Sequence, residues 1–306
     1  MAFDDAYSAL TDHDDDARWA YGTGFSDPLA AVPSAVPADV DGADLSLYCL
    51  MLGDDALILS HRLQEWVTRA PELEDELAIA NIALDLLGQA RLLLSRAGTA
   101  SGPLLSGSLL SEDALAFGRD AAEFRNVCLA ERPDADFACL VGRLLVMVTW
   151  RLAAFDRLSS SHDPMLAAIA AKGVKELTYH RDYAAQWVVR LGDGTALSHA
   201  RMASAMAELL PLTGELFATH PVEARLADAG VAVDPVSLRA EFDGVMAQVL
   251  EAATLDPALP VPLDSALDAA AGSVACAGRD GVHGAALDEI LREMQSVARA
   301  LPGGVW

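Results

Sequence analysis

The strongest constraint on this chain is the spacing of its apolar residues. They recur every three or four positions over long stretches, and no convincing run of period-two alternation appears. From Asp44 onward, Leu47, Leu50, Met51, Ala56, Leu59, Leu63 and Trp66 keep that spacing up to a stop at Ala70-Pro71. A second helix is expected from Pro71 to Arg96, with proline at its first position and Gly98 as its end signal. Its apolar set (Leu77, Ile79, Ala80, Ile82, Ala83, Leu86, Leu87, Leu93) is broad enough to be buried on more than one side. Ser111, followed by Glu112 and Asp113, reads as a cap with acids in the first turn, opening a helix that should run to Arg132-Pro133. Further helices are expected from residues 134–136 to 160, from Asp163 (cap) and Pro164 to Leu191, and from 198 to 218 with a kink at Pro211. Asp234-Pro235 opens another, reaching Leu255, and the last runs from 285 to 301 after a glycine-punctuated loop. Pro257, Pro260 and Pro262 force an irregular stretch between them. The fold class is therefore all-α. Residues 44–96 and 134–191 each form an antiparallel pair, together a four-helix core, and the other helices wrap it. A composition dominated by Ala and Leu, with aromatics at only 6%, suits long helices.

Residues 1–41 stand apart. They carry an acidic cluster (Asp12, Asp14, Asp15, Asp16) and then Pro28, Pro33 and Pro37, and read as a surface arm before a single domain over 42–306. The formal net charge is −24, and the only lysines are Lys172 and Lys175. That balance excludes a nucleic-acid-binding surface and disfavours an anionic membrane. It serves solubility and permits steering toward a more basic partner. The N-terminus lacks a basic, apolar signal sequence, and the most apolar run, Leu144 to Trp150, is too short to span a bilayer, so a cytoplasmic protein is expected. Cys49, Cys128, Cys139 and Cys276 form no C-x-x-C pair, which argues against a thiolate zinc site; those in apolar helical stretches read as packed thiols.

Phosphate-loop, nucleophile-elbow and H-E-x-x-H motifs are absent. The chemistry that long antiparallel helices most readily support is a di-iron carboxylate centre. It requires a Glu from each of two helices and a Glu-x-x-His from each of two others, because residues three apart share a helical face. Of the seven histidines only His283 has an acid three residues before it, Asp280, and that pair lies in a Gly-rich loop. Both required pairs are missing. The nearest approach to a metal site is Glu176 with His180, four apart on one helix, supplemented by Asp85, Glu65 and Asp54. The heavier reading of Glu176 and His180 is a buried hydrogen-bonded or ion pair, with Arg181 or Arg62 as partner. Carboxylates that face inward, Asp54, Asp55, Glu65, Asp75, Glu76 and Asp85 among them, must pair with arginine or accept hydrogen bonds. Met147 and Trp150 read as core, and Asp54 beside Gly53 marks a local irregularity in its helix.

At these residues a family resemblance enters. The stretch Leu52-Gly53-Asp54-Asp55-Ala56-Leu57-Ile58-Leu59-Ser60, with Arg62-Leu63 and Glu65-Trp66, resembles the first core helix of the structural (PaaC) subunits of phenylacetyl-CoA epoxidase. The likeness continues through Ala70-Pro71-Glu72-Leu73-Glu74 and Ala80-Asn81-Ile82-Ala83-Leu84-Asp85-Leu86-Leu87-Gly88-Gln89-Ala90-Arg91. Lys175-Glu176, Tyr179-His180, Trp187 and Arg190-Leu191-Gly192 follow, then Gly230 to Pro235, Gly281, His283, Glu293-Met294-Gln295 and Leu301 to Trp306. It covers about residues 45 to 306; the acidic arm departs from it. The resemblance implies a ferritin-like bundle without a catalytic site or cofactor of its own. The di-iron centre would lie in a sister catalytic subunit that epoxidises the ring of phenylacetyl-CoA with dioxygen and electrons from a reductase. In that setting, if Asp85 took the place of a ligand Glu, Gly88 would stand where the His is needed. The implied partners are the catalytic subunit and the other epoxidase subunits including the reductase, with self-association as a homodimer when the chain is alone. The alternatives are a ferritin-like protein with a degenerate metal site built on Glu176 and His180, and an acyl-CoA-binding module.

Overall fold

The computed structural model describes residues 29, 31–102, 110–256 and 277–302. The acidic cluster, Pro28, most of the loop after residue 102, Pro257, Pro260, Pro262, Cys276 and the C-terminal Gly303 to Trp306 lie outside them. The described residues from Ser34 onward form one compact unit.

Four long helices carry this unit: α1 (Gly42–Gln64), α2 (Leu73–Ala100), α5 (Phe137–Leu158) and α6 (Pro164–Gly192). Around them lie α3 (Glu112–Phe117), α4 (Cys128–Glu131), α7 (Ala196–Leu209), α8 (Pro221–Asp228), α9 (Arg239–Ala252), α10 (Ala285–Met294) and α11 (Ser296–Ala300). Among the described residues the one β contact is an isolated bridge, Ala277 with Val282. The core pairs are those the sequence places together, α1 with α2 and α5 with α6, and α2 closes the bundle against α6.

Local chemistry sets most helix starts. Asp41 caps α1 by accepting from the N–H of Ala43 at 2.8 Å and of Asp44 at 3.1 Å. Asp136 caps α5 through Cys139, and Asp163 caps α6 through Leu166, with Pro164 in the first turn. α5 is buried on nearly every side, from Leu140 through Phe155, so its apolar length is that of a central core helix.

Several expectations need correction. α1 runs unbroken through Gly53 and Asp54, with no irregularity. Pro71 lies before α2, whose N-cap is Glu72. Gly98 does not end α2, which continues to Ala100; a Cβ at Gly98 would meet the Leu110 carbonyl oxygen at 2.0 Å, so this glycine permits a close chain crossing. The helix expected over 111–132 is three short pieces, α3, a 3-10 turn at Ala121–Glu123 and α4. The break exists because the N–H groups of Arg125 and Val127 turn inward to Asp54 and Asp55, each at 2.8 Å. α8 falls in a stretch where no helix was expected. The kink at Pro211 is present as a 3-10 segment, Leu210–Phe217, following α7. The final helix divides at Gln295, whose side chain donates to the carbonyls of Ala116 and Arg119.

Candidate functional site

The four long helices converge on one buried polar cluster, and its central residue is an arginine. Arg151 of α5 is 2% exposed. Its Nε donates to Gln89 Oε1 of α2 at 2.9 Å, and its Nη1 to the Leu52 carbonyl of α1 at 3.0 Å. The guanidinium lies 4.3 Å from the Phe155 ring centroid. No carboxylate pairs with it directly, and Nη2 has no hydrogen-bond partner. Burial therefore pushes its pKa down to about 10. Gln89 passes the network on: its Nε2 donates to Glu176 Oε2 of α6 at 2.9 Å, and Glu176 is ion-paired with Lys172. Toward the surface, His180 Nε2 lies 3.0 Å from Asp85 Oδ2, while His180 Nδ1 is buried without a partner. Burial depresses the His180 pKa, and Asp85 offsets this in part.

The structure thus gathers three of the five candidate metal ligands, Asp85, Glu176 and His180, along one seam between α2 and α6. Asp54 and Glu65 lie elsewhere. Asp54 is fully buried and accepts from Arg119 (Nη1 to Oδ2, 3.0 Å) and from the Arg125 N–H. Burial raises its pKa against the pull of Arg119. Glu65 sits just past the end of α1 and pairs with Arg62 at 2.7 Å. The partners of Glu176 and His180 are accordingly Lys172, Gln89 and Asp85; Arg62 is occupied by Glu65 and the Glu131 carbonyl.

A di-iron centre does not fit this donor set. The cluster centre holds a fixed cation, Arg151, where a metal would require lone-pair donors; the Gln89 oxygen already accepts from that guanidinium, and the seam offers a single imidazole. Among the described residues, three ligand atoms approach within 4.8 Å of one another only at Cys128, Glu131 and His283, and Cys128 is disulfide-bonded. That last bond corrects the reading of Cys128 as a packed thiol. Cys49 is one: it is free and buried, and burial raises its pKa to about 12.

Next to the cluster lies a charged layer that seals the bundle to its cover. Arg279 donates to both Asp55 oxygens (3.1 and 2.8 Å) and to the carbonyls of Met51 and Arg125. Glu131 accepts from His283 Nδ1 at 2.9 Å and from the Gly284 N–H at 2.8 Å. The expectation that inward carboxylates meet arginine holds for Asp54 and Asp55, while Asp75 accepts from Tyr183 and Trp187. Sequence reasoning missed Arg151, Gln89 and Arg279. The signal for Arg151 was present: a single charge in the otherwise uncharged stretch from Val146 to Phe155 has to find buried partners.

The comparisons with known proteins agree with this architecture. Residues 29–306 match the model of the phenylacetic acid catabolic protein family that takes in PaaA and PaaC. The chain is 42% identical, over 262 residues, to one of the subunits of the 1,2-phenylacetyl-CoA epoxidase of Escherichia coli, an alignment covering 86% of this chain and 99% of the relative. With an all-helical four-helix core and this match, the chain belongs to the phenylacetic acid catabolic protein family of ferritin-like bundles.

Proposed function

We propose that this chain is the non-catalytic structural subunit of a multicomponent phenylacetyl-CoA epoxidase, binding and stabilising the di-iron subunit that carries out the epoxidation. The observation that carries this reading is the Arg151–Gln89–Glu176–Lys172 network at the centre of the bundle. The guanidinium links three helices through Gln89 and the Leu52 carbonyl, and supplies by hydrogen bonding the cross-bridging that ligand bonds supply in a metal-bearing bundle. The match to a subunit of the Escherichia coli epoxidase supports the same reading. The net charge of −24 counts against an acyl-CoA-binding module, since the ligand would itself be anionic.

The test is the metal content of the chain, purified alone from iron-supplied cells and again as the assembled complex. The proposal expects negligible iron in the chain alone. It also expects unchanged turnover when Glu176→Gln is introduced into an intact complex. Iron near two per isolated chain, the stoichiometry of a di-iron site, would refute it. So would loss of turnover from an intact Glu176→Gln complex.

A further inference from the structure

Outside the α2–α6 seam, one place brings together a cysteine sulfur, an imidazole and a carboxylate. Cys128 and Glu131 stand three apart on α4, so their side chains share one face. His283 comes from the turn over 277–284, 152 positions after Glu131. The three ligand atoms all lie within 4.8 Å of one another. The side chains of Glu131 and His283 are each only 3% exposed. The protein holds both walls of this place together by other means. Glu215 accepts from the Cys128 N–H at 2.7 Å and from the Gly278 N–H at 2.8 Å, so one carboxylate clamps α4 to the turn. The Ala277–Val282 bridge closes the turn itself.

The surroundings are those of a ligand shell. His283 Nε2 lies 3.1 Å from the Phe124 carbonyl, which leaves Nδ1 facing Glu131 at 2.9 Å. Histidine ligands are commonly fixed this way, the second ring nitrogen donating to a backbone carbonyl. Glu131 is fixed in turn by the Gly284 N–H and by Asn126 Nδ2, the latter at 3.2 Å. Asn126 is fully buried, yet its Oδ1 has no hydrogen-bond partner. The amide that steadies Glu131 thus offers a lone pair to a donor that the protein does not supply, such as water on a metal. One sulfur, one nitrogen and one oxygen suit Zn2+, which takes Cys, His and Glu at about 2.0–2.3 Å in a tetrahedron. That geometry sets ligand atoms about 3.3–3.8 Å apart, so the triad needs shifts of about 1 Å or less. The lack of a C-x-x-C pair excludes a zinc site built within one loop, not one whose ligands meet across the fold.

Cys128 is disulfide-bonded here, and only a thiolate sulfur serves as a metal ligand, so disulfide and metal exclude each other. We propose that Cys128, Glu131 and His283 form a zinc site that opens when the Cys128 disulfide is reduced, the ion tying α4 to the 277–284 turn. A two-electron reductant splits the S–S bond into two thiols. Zn2+ then displaces the thiol proton of Cys128 and the proton on His283 Nδ1, both of which pass to water.

The test uses the full chain, stripped of metal and kept from air, with and without tris(2-carboxyethyl)phosphine. The phosphine takes oxygen from water and ends as its oxide, while the disulfide ends as two thiols. Calorimetric titration with zinc chloride should show about one zinc per reduced chain, and binding about a hundredfold or more weaker to the oxidised chain. Cobalt(II) in place of zinc should give a thiolate-to-metal charge-transfer band in the reduced wild type, a readout that needs no variant. His283→Asn and Glu131→Gln should each weaken zinc binding about tenfold or more. Cys128→Ser should abolish the cobalt band, and Cys139→Ser should leave both readouts unchanged. A reduced chain that takes up no zinc, a cobalt complex without the thiolate band, or zinc binding indifferent to His283→Asn overturns the inference. Zinc here and iron in the bundle are counted separately, so this site and the functional reading can fail independently.

Discussion

At the residue scale, two buried arginines do different work. Arg279 is matched by Asp55 through two hydrogen bonds, and the remaining Nη1 contacts fall on backbone carbonyls. Removing one member of such a pair leaves a buried charge alone. Arg279→Ala should therefore lose about 3–5 kcal/mol in denaturant unfolding; a loss under about 1 kcal/mol would show that Asp55 finds other compensation. Arg151 lacks a direct carboxylate partner, so its removal strands only the Gln89 amide oxygen and a helical carbonyl. Arg151→Met should cost about 1–3 kcal/mol, and adding Gln89→Leu should recover part of it. His283 gives a pH signature. Burial opposes its protonation, but the hydrogen bond to Glu131, together with the Phe124 carbonyl and the fields of Glu131 and Glu215, outweighs burial and raises its pKa above 6.5. A raised histidine pKa contributes stability that is full below the unfolded value and fades as pH rises through the folded one. The stability difference between wild type and His283→Asn should thus be largest below about pH 6.5 and shrink at higher pH. An equal difference at acidic and alkaline pH would contradict this assignment.

At the element scale, α2 shows how one helix serves three boundaries. One face packs into the core, one edge carries Asp75, Asp85 and Gln89 toward α6, and its C-terminal turn lies beneath Leu110. The last contact requires a bare backbone. Gly98→Ala would gain about 1 kcal/mol of helix propensity in an exposed helix. Here the methyl would press on the Leu110 carbonyl, and the variant should instead be destabilised by about 1–3 kcal/mol, read as a fall in urea midpoint. The segment over 112–131 is the counterpart on the cover. It surrenders helical continuity so that its N–H groups at Arg125 and Val127, and the guanidinium of Arg119, satisfy carboxylates that α1 buries.

At the scale of the whole molecule, a bundle whose polar centre is closed by arginine and amide has its open chemistry on the outside. Leu73, Leu77 and Leu84 leave an exposed apolar strip along α2. If the chain is a partner-dependent subunit, ligation by that partner stabilises the folded state by mass action, about 2.7 kcal/mol at a hundredfold excess over Kd. The melting temperature of the chain should rise when the di-iron partner is added. An unchanged melt at saturating partner would remove the support for a stabilising role.

What could be read from the residues alone was local or periodic. The apolar spacing marked all four long helices, and Asp136, Asp163 and Pro164 marked starts within a residue or two, because caps act on N–H groups two or three positions away. The missing Glu-x-x-His pairs were equally plain, since that motif lives within one helical turn. The identity of each buried partner was beyond that reach. Arg151 meets Gln89 across 62 residues, Gln89 meets Glu176 across 87, and Asp55 meets Arg279 across 224. A buried carboxylate announces that it needs a donor, but several arginines could answer, and only the packing of helices brings one of them within about 3 Å. The same is true of Gly98, which as a letter signals a helix end and in the fold marks a crossing. Local hydrogen bonding and side-chain periodicity act over a few residues and so are written in order along the chain; compensation of buried charge acts through space and is settled when the bundle closes.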